Sequence, residues 1–158
     1  MNKLIILLLF FVILITMTAL TTGSSVGKKS SDNNDSLEAA RQMIVDKIMI
    51  NINEIKDLPA DSVFTNIQMM KGLSAGNLIN AMNKGFSTAL GVGCEHCHNI
   101  ENFASDEVPA KQVSREMMKM SGEIRGMLKN IKGIDSENPN VNCATCHRGS
   151  IVPATKVN

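Results

Sequence analysis

The sequence predicts an all-α domain that follows an apolar N-terminal helix. Apolar residues recur at helical spacing in three segments, glycine or proline stands where each segment ends, and no segment alternates apolar and polar residues like a half-buried strand. The chain has 158 residues, 44% of them apolar and 20% charged, which suits one small domain plus an N-terminal segment. The formal net charge of +1 provides no strongly basic surface, so we predict no nucleic-acid partner.

Residues 1–23 are predicted to be a signal peptide or an uncleaved membrane anchor. Lys3 precedes an apolar run from Leu4 to Leu20, which is long for a signal-peptide core and short for a membrane-spanning helix. Either alternative exports the rest of the chain. Residues 24–35 have little to bury and are predicted to form a flexible tether. The folded domain is predicted over residues 36–158.

The first helix of this domain is predicted to begin at Asp35 and Glu38, which have capping-box spacing, and to end before Pro59. A short extended segment is predicted over 63–67. Ser74 is predicted to cap a second helix, which stops at Gly91 and Gly93. The apolar stripes of these two helices are Leu37, Ala40, Ile44, Ile48, Ile52 and Ile55, then Leu78, Met82, Phe86 and Ala89.

A third helix is predicted to carry Pro109 in its first turn and to end at Gly133. Its predicted apolar stripe is Val113, Met117, Met120, Ile124, Met127 and Ile131.

The composition indicates that something other than aromatic side chains fills the core. The chain has five Phe and neither Trp nor Tyr, although aromatic rings normally supply much of the buried area of a domain. Eleven Met are present, and the Met thioether is both a packing group and a soft metal ligand. A large apolar cofactor would supply the missing bulk.

All four cysteines fall into two copies of the pattern C-x-x-C-H, which is the attachment site of c-type haem. Two thiols three residues apart lie on one face of a helical turn and reach the two vinyl groups of one porphyrin. The next residue places its imidazole under the iron as the axial ligand. The two copies are Cys94-Glu95-His96-Cys97-His98 and Cys143-Ala144-Thr145-Cys146-His147.

Other interpretations of the cysteines fit less well. Paired C-x-x-C motifs of zinc sites usually lie roughly 15 to 20 residues apart, and the interval here is far longer. Two disulfides would not explain a histidine after each second cysteine. A thioredoxin-like redox pair needs a βαβ context that the pattern does not offer. We therefore predict two covalently attached haems.

The sixth iron ligand of each haem is predicted to be a methionine. Met82 precedes the first motif on a helix that stops at Gly91, and a chain reversal there would bring Met82 and His98 to opposite faces of one haem. For the second haem the spacing leaves four candidates open: Met117, Met118, Met120 and Met127. His96 is expected to face solvent, and the alternative is that it is a ligand to the neighbouring haem.

Three segments resemble the cytochrome subunit of photosynthetic reaction centres, specifically the two-haem unit that is repeated in that four-haem protein. They are NLINAMNKGFSTALGVGCEHCH, FASDEVPAKQVSREMMKMSGEI and VNCATCHRG, and the resemblance covers Val63 to Val152. It implies Met82 as sixth ligand of the haem on Cys94 and Cys97, and Met117 as sixth ligand of the haem on Cys143 and Cys146. Arg148 is a candidate partner of a haem propionate.

The chain departs from the family in length and in holding two motifs rather than four. In addition, the segment GIDSENPNVN has no counterpart of the family's distal histidine.

The function expected from the motifs and the resemblance is electron transfer without catalysis. The chain is predicted to be a periplasmic or membrane-tethered dihaem cytochrome whose partners are other cytochromes or membrane respiratory or photosynthetic complexes. Its membrane contact would be Leu4–Leu20 if that segment is not cleaved. The alternatives are a dihaem peroxidase-like enzyme, which needs an open iron position, and a haem-based sensor module.

Overall fold

The computed structural model describes residues 28–153 and 155, with side chains from residue 34 onward. Its first element is helix α1, Lys28–Asn51. The predicted capping box is wrong, because the backbone is already helical before Asp35. The tether predicted over 24–35 overlaps this helix from Lys28 onward, and its flexibility stays a prediction. The anchor or signal segment, 1–23, lies outside the described residues.

Helix α1 ends earlier than predicted. It stops at Asn51, and i to i+3 backbone hydrogen bonds carry the chain through tight turns to Leu58. Asparagine at 51 and 53 favours such turns, because its side chain competes for backbone hydrogen bonds. Pro59 instead precedes a single-turn helix α2, Ala60–Val63. The extended segment predicted over 63–67 is therefore wrong at Val63, where this helix ends.

The all-α prediction is confirmed. In the part of the chain that the structure describes there is no strand, only two isolated bridges, Pro59 with Ser74 and Asn99 with Asn102. No helix among the described residues is both long and apolar enough to cross a membrane.

The helix predicted after Ser74 is confirmed at both ends. The Ser74 hydroxyl accepts a hydrogen bond from the Asn77 amide at 3.4 Å, which caps helix α3, Ala75–Asn80. The helix continues through a π-helical segment, Ala81–Ser87, into the short helix α4, Thr88–Leu90.

Gly91 ends this continuous helix in the left-handed region, with φ 66°. The chain then enters a 3₁₀ turn, Cys94–His96, which contains the first three residues of the first motif. The π-helical segment was not predicted. It is the part of the helix that carries Met82, and such widened turns occur often at functional sites.

Helix α5, Pro109–Leu128, has Pro109 in its first turn as predicted, but it ends at Leu128 rather than near Gly133. Its predicted apolar stripe is largely wrong. Val113 is 59% exposed and Met127 is 60% exposed, and Met120 and Ile131 are exposed as well. The face of α5 that packs inward instead includes the buried Arg115.

The second motif forms helix α6, Cys143–His147. The apolar core is small, and among the described residues no large side chain is fully buried. Its buried apolar members are Val45, Ile52, Ala60, Ala75, Leu78 and Ala89. This small core agrees with the aromatic-poor composition.

Candidate haem-attachment sites

One cavity brings together every residue predicted for the first site. It has a volume of about 320 Å³, and its lining includes Met82, Cys94, Cys97 and His98. Most of the remaining lining is apolar and comes from α1, from the segment between α2 and α3, and from the helix that carries Met82. A flat apolar group with two thioether links and two axial ligands fits this lining.

Backbone hydrogen bonds fold the first motif into one turn. The amides of Cys97 and His98 donate to the Cys94 carbonyl at 3.3 Å and 3.0 Å. This turn orients both thiols toward the same cavity. Burial raises the pKa of both thiols, and the Glu95 carboxylate adds to this effect at Cys94, while Arg41 acts in the opposite direction there. None of the four cysteines forms a disulfide.

His98 is held as a neutral imidazole with one nitrogen free. Its Nδ1 lies 3.1 Å from the Phe103 carbonyl oxygen, which only accepts, so Nδ1 carries the proton and Nε2 keeps its lone pair. The Phe103 ring packs against the imidazole with 5.3 Å between centroids. Burial is the main cause that lowers the pKa of His98, which favours the neutral form. A neutral imidazole oriented in this way is suited to bind iron through Nε2.

The second motif repeats this arrangement at the histidine. The Nδ1 of His147 lies 3.0 Å from the Ser150 carbonyl, so the same nitrogen is free as in His98. Asn142 and Thr145 cap helix α6 with a reciprocal pair of hydrogen bonds of 3.2 Å and 3.1 Å. Arg148, in the left-handed region with φ 50°, ends the helix, and its side chain is exposed.

A second cavity, of about 250 Å³, lies beside this motif and includes Cys143 in its lining. Cys146 is exposed and His147 is half-buried, and neither lines the cavity. Four residues line both cavities, so the two cavities share a wall: Met69, Met70, Phe86 and Met118.

The structure places the methionines of α5 differently from one another. Met117 is half-buried and lines neither cavity, whereas its neighbour Met118 lines both. Met120 and Met127 are exposed. His96, expected to face solvent, is half-buried.

The loop between the first motif and α5 holds an ionic cluster that the sequence analysis missed. The Lys111 ammonium donates to the carbonyls of Phe103, Ala104 and Ser105 at 2.7–3.0 Å. Asp106 accepts from Lys111 at 3.0 Å and from Arg115 at 2.8 Å. Because Lys111 also binds the carbonyl that orients His98, this cluster fixes the loop on which the histidine depends.

This cluster predicts that the free energy of unfolding decreases at acid pH. Hydrogen bonds from Arg115, Asn66 and Lys111 hold the pKa of Asp106 well below its usual range. The folded-state pKa is therefore below the unfolded one. The stabilisation is present above about pH 4, the unfolded value, and is lost as the pH falls further. In Asp106→Asn we expect the free energy of unfolding to be lower at neutral pH and to fall less between neutral pH and about pH 3.

Glu116 provides the matched control for this prediction. Its pKa is also lowered, chiefly by Lys119, but both side chains of that pair are exposed. Exposed pairs contribute little, so Glu116→Gln should leave the pH profile of unfolding nearly unchanged. Equal effects of the two variants in denaturant titrations would contradict the role of the loop cluster.

The segments that flank the two motifs touch each other at two glycines. The Gly149 amide donates to the Ala89 carbonyl at 2.8 Å, and a Cβ on Gly91 would collide with the Gly149 carbonyl oxygen. Gly91 also needs its positive φ. We expect Gly91→Ala to destabilise the fold by about 2 kcal/mol or more.

Gly133 separates the two causes of this expected loss of stability, which are the collision of the new Cβ and the strain of a positive φ. It has φ 85°, but a Cβ there would meet no atom within 4 Å. Gly133→Ala should therefore cost only the backbone strain, about 1 kcal/mol. The difference between the two variants in the free energy of unfolding measures the contact between the motif flanks, and no difference would rule it out.

Comparison with known proteins supports the resemblance seen in the motifs. A model of the family described as photosynthetic reaction centre cytochrome C subunit matches residues 16–157. Cytochrome c-554 of Chloroflexus aurantiacus is 40% identical over 86 residues, which cover 54% of this chain and 20% of that protein. The photosynthetic reaction center cytochrome c subunit of Thermochromatium tepidum is 36% identical over 96 residues, covering 60% and 22%.

The corresponding subunit of Roseobacter denitrificans is 31% identical over 103 residues, covering 60% of this chain and 26% of that protein. The chain thus matches only about a fifth to a quarter of the length of these relatives. The family match nevertheless extends over most of the chain, including both motifs. The chain belongs to the photosynthetic reaction centre cytochrome c subunit family.

Proposed function

We propose that the chain is an exported dihaem c-type cytochrome that transfers electrons between redox partners. Membership of the family supports the coarser part of this proposal, an electron-transfer cytochrome with covalently bound haem c. The finer part, two haems that are each ligated by histidine and methionine, rests on this chain's own residues. The observation that carries the proposal is the apolar cavity of the first site, which Met82, Cys94, Cys97 and His98 line together.

Each residue of the first site has a defined role. The thiols of Cys94 and Cys97 would hold the porphyrin through two thioether links, each formed when one S–H adds across one vinyl group and its hydrogen goes to the vinyl carbon. Nε2 of His98 and the Met82 sulfur would hold the iron. The haem supplies the one-electron iron couple when it is bound. The apolar lining excludes water, and histidine–methionine ligation raises the reduction potential.

The second site is built from Cys143, Cys146, His147 and Met117. The hydrogen bond from His147 Nδ1 to the Ser150 carbonyl supports it, because it repeats the arrangement at His98 and leaves Nε2 free. Met117 is proposed on the resemblance of its segment to the family. The wall shared by the two cavities supports direct electron exchange between the two haems.

The proposed location is the periplasm or another space outside the cytoplasm, because c-type haem is attached there. The membrane contact, if the N-terminal segment is retained, is Leu4–Leu20. The proposed partners are other cytochromes or membrane respiratory or photosynthetic complexes. With histidine and methionine at each site, the iron would have no open position, as a peroxidase or a gas sensor would need.

The experiment that tests this function is mass spectrometry of the exported protein. We expect the polypeptide mass plus two porphyrins, and one porphyrin fewer in each of the variants Cys94→Ser/Cys97→Ser and Cys143→Ser/Cys146→Ser. The bare polypeptide mass would overturn the proposal. Rapid binding of carbon monoxide by the reduced protein would overturn the ligation by methionine and favour a sensor or an enzyme.

A further inference from the structure

An arginine from α1 is buried next to the first motif. The Arg41 side chain lies in the interior, with the residue 6% exposed. Its Nε donates to the Asn83 side-chain oxygen and its Nη1 to the Val92 carbonyl, both at 3.3 Å. Asn83 follows Met82, and Val92 stands two residues before Cys94. The guanidinium therefore connects the segment that carries the proposed axial methionine to the segment that carries the thiols.

The second motif has a corresponding arginine. Arg125, on α5, lines the second cavity and is half-buried. Its Nη1 donates to the Val141 carbonyl at 3.2 Å and to the Ser121 hydroxyl at 3.4 Å. Val141 stands two residues before Cys143, as Val92 stands two residues before Cys94. Each motif thus follows a valine whose carbonyl accepts a hydrogen bond from an arginine on another helix.

Neither arginine has a carboxylate partner in the part of the chain that the structure describes. The ion pairs there join Lys111 and Arg115 to Asp106, and Lys119 to Glu116. The contrast with Arg115 is direct, because that arginine is also buried beside the first cavity but is neutralised by Asp106. The acceptors of Arg41 and Arg125 are amide, carbonyl and hydroxyl oxygens, which carry no net charge.

We propose that Arg41 and Arg125 each raise the reduction potential of the haem attached at the adjacent motif. The inference rests on the proposed function, since it needs haem at both motifs. Oxidation adds one positive charge at the iron, and a fixed cation nearby makes that charge less favourable. Burial strengthens the effect because the surroundings are less polarisable than water. Arg41 is the more deeply buried, so its effect is the larger.

The test is a spectroelectrochemical titration of the intact dihaem protein and of Arg41→Gln and Arg125→Gln. We expect Arg41→Gln to change the ratio of oxidised to reduced first haem at least tenfold at a given potential, which is a fall of about 59 mV for a one-electron couple. The second haem should stay unchanged. Arg125→Gln should lower the midpoint potential of the second haem only, and by less than Arg41→Gln lowers that of the first. The variant Cys143→Ser/Cys146→Ser, which keeps the first haem alone, assigns the two midpoints.

The lysine variants separate charge from hydrogen bonding. Arg41→Lys and Arg125→Lys keep the positive charge. The midpoint potential of the adjacent haem should therefore stay close to that of the unmodified protein. The inference is overturned if both glutamine variants leave the midpoints in place, if each shifts both haems equally, or if lysine lowers the potential as much as glutamine does. If Arg41→Gln does not fold, Arg125→Gln and Arg125→Lys decide the question, because Arg125 is only half-buried. A protein without haem would instead overturn the proposed function.

Discussion

Replacing Met82 with histidine is expected to lower the reduction potential of one haem by about 0.1 V or more and to leave the other haem unchanged. Axial ligands set haem potentials over a range of about 0.8 V, and the thioether favours the ferrous state more than a second imidazole does. Met82 lines the same cavity as His98, on a π-helical segment of its helix. The measurement is a redox titration followed by optical spectra.

Met43 provides the control for this substitution. It lies on α1 and is 74% exposed, so Met43→His should move neither midpoint. Met82→Ala gives an independent readout, since an iron without its sixth ligand should bind carbon monoxide in the reduced state. Two unchanged midpoints in Met82→His, together with no carbon monoxide binding in Met82→Ala, would show that another residue is the ligand.

Those parts of the fold that depend on local chemistry could be predicted from the sequence. Ser74 caps its helix because a serine hydroxyl can accept from an amide three residues later, and this needs no distant partner. Gly91 ends the helix because its φ of 66° is unfavourable for other residues. Pro109 starts α5 for a comparable local reason. The first cavity then unites four residues that spacing alone had grouped.

Features that depend on distant contacts could not be predicted in this way. The apolar stripe of α5 predicted the wrong face, because the Arg115 ion pair with Asp106 in the preceding loop turns that arginine inward. Periodicity counts arginine as a solvent-facing residue and therefore also missed Arg41. The π-helical segment at Ala81–Ser87 changes the spacing on which such patterns rest, and its residues give no local sign of it.

For the second haem, Met117→Leu is expected to remove the sixth iron ligand and Met118→Leu is expected to leave it in place. Leucine has nearly the volume of methionine, so either change should cost less than about 1.5 kcal/mol of stability. In Met117→Leu the reduced second haem should bind carbon monoxide, and its midpoint potential should shift while that of the first haem does not. Optical spectra with and without carbon monoxide provide the measurement.

The pair is informative because adjacent helical residues point about 100° apart, so only one of them can face a given iron. Met118 lines both cavities and Met117 neither, although the resemblance to the family assigns the ligand to Met117. If Met118→Leu opened the second iron and Met117→Leu did not, α5 would present the following residue to the haem. The wall between the two cavities would then include an iron ligand, and Met118 would link the two redox centres directly.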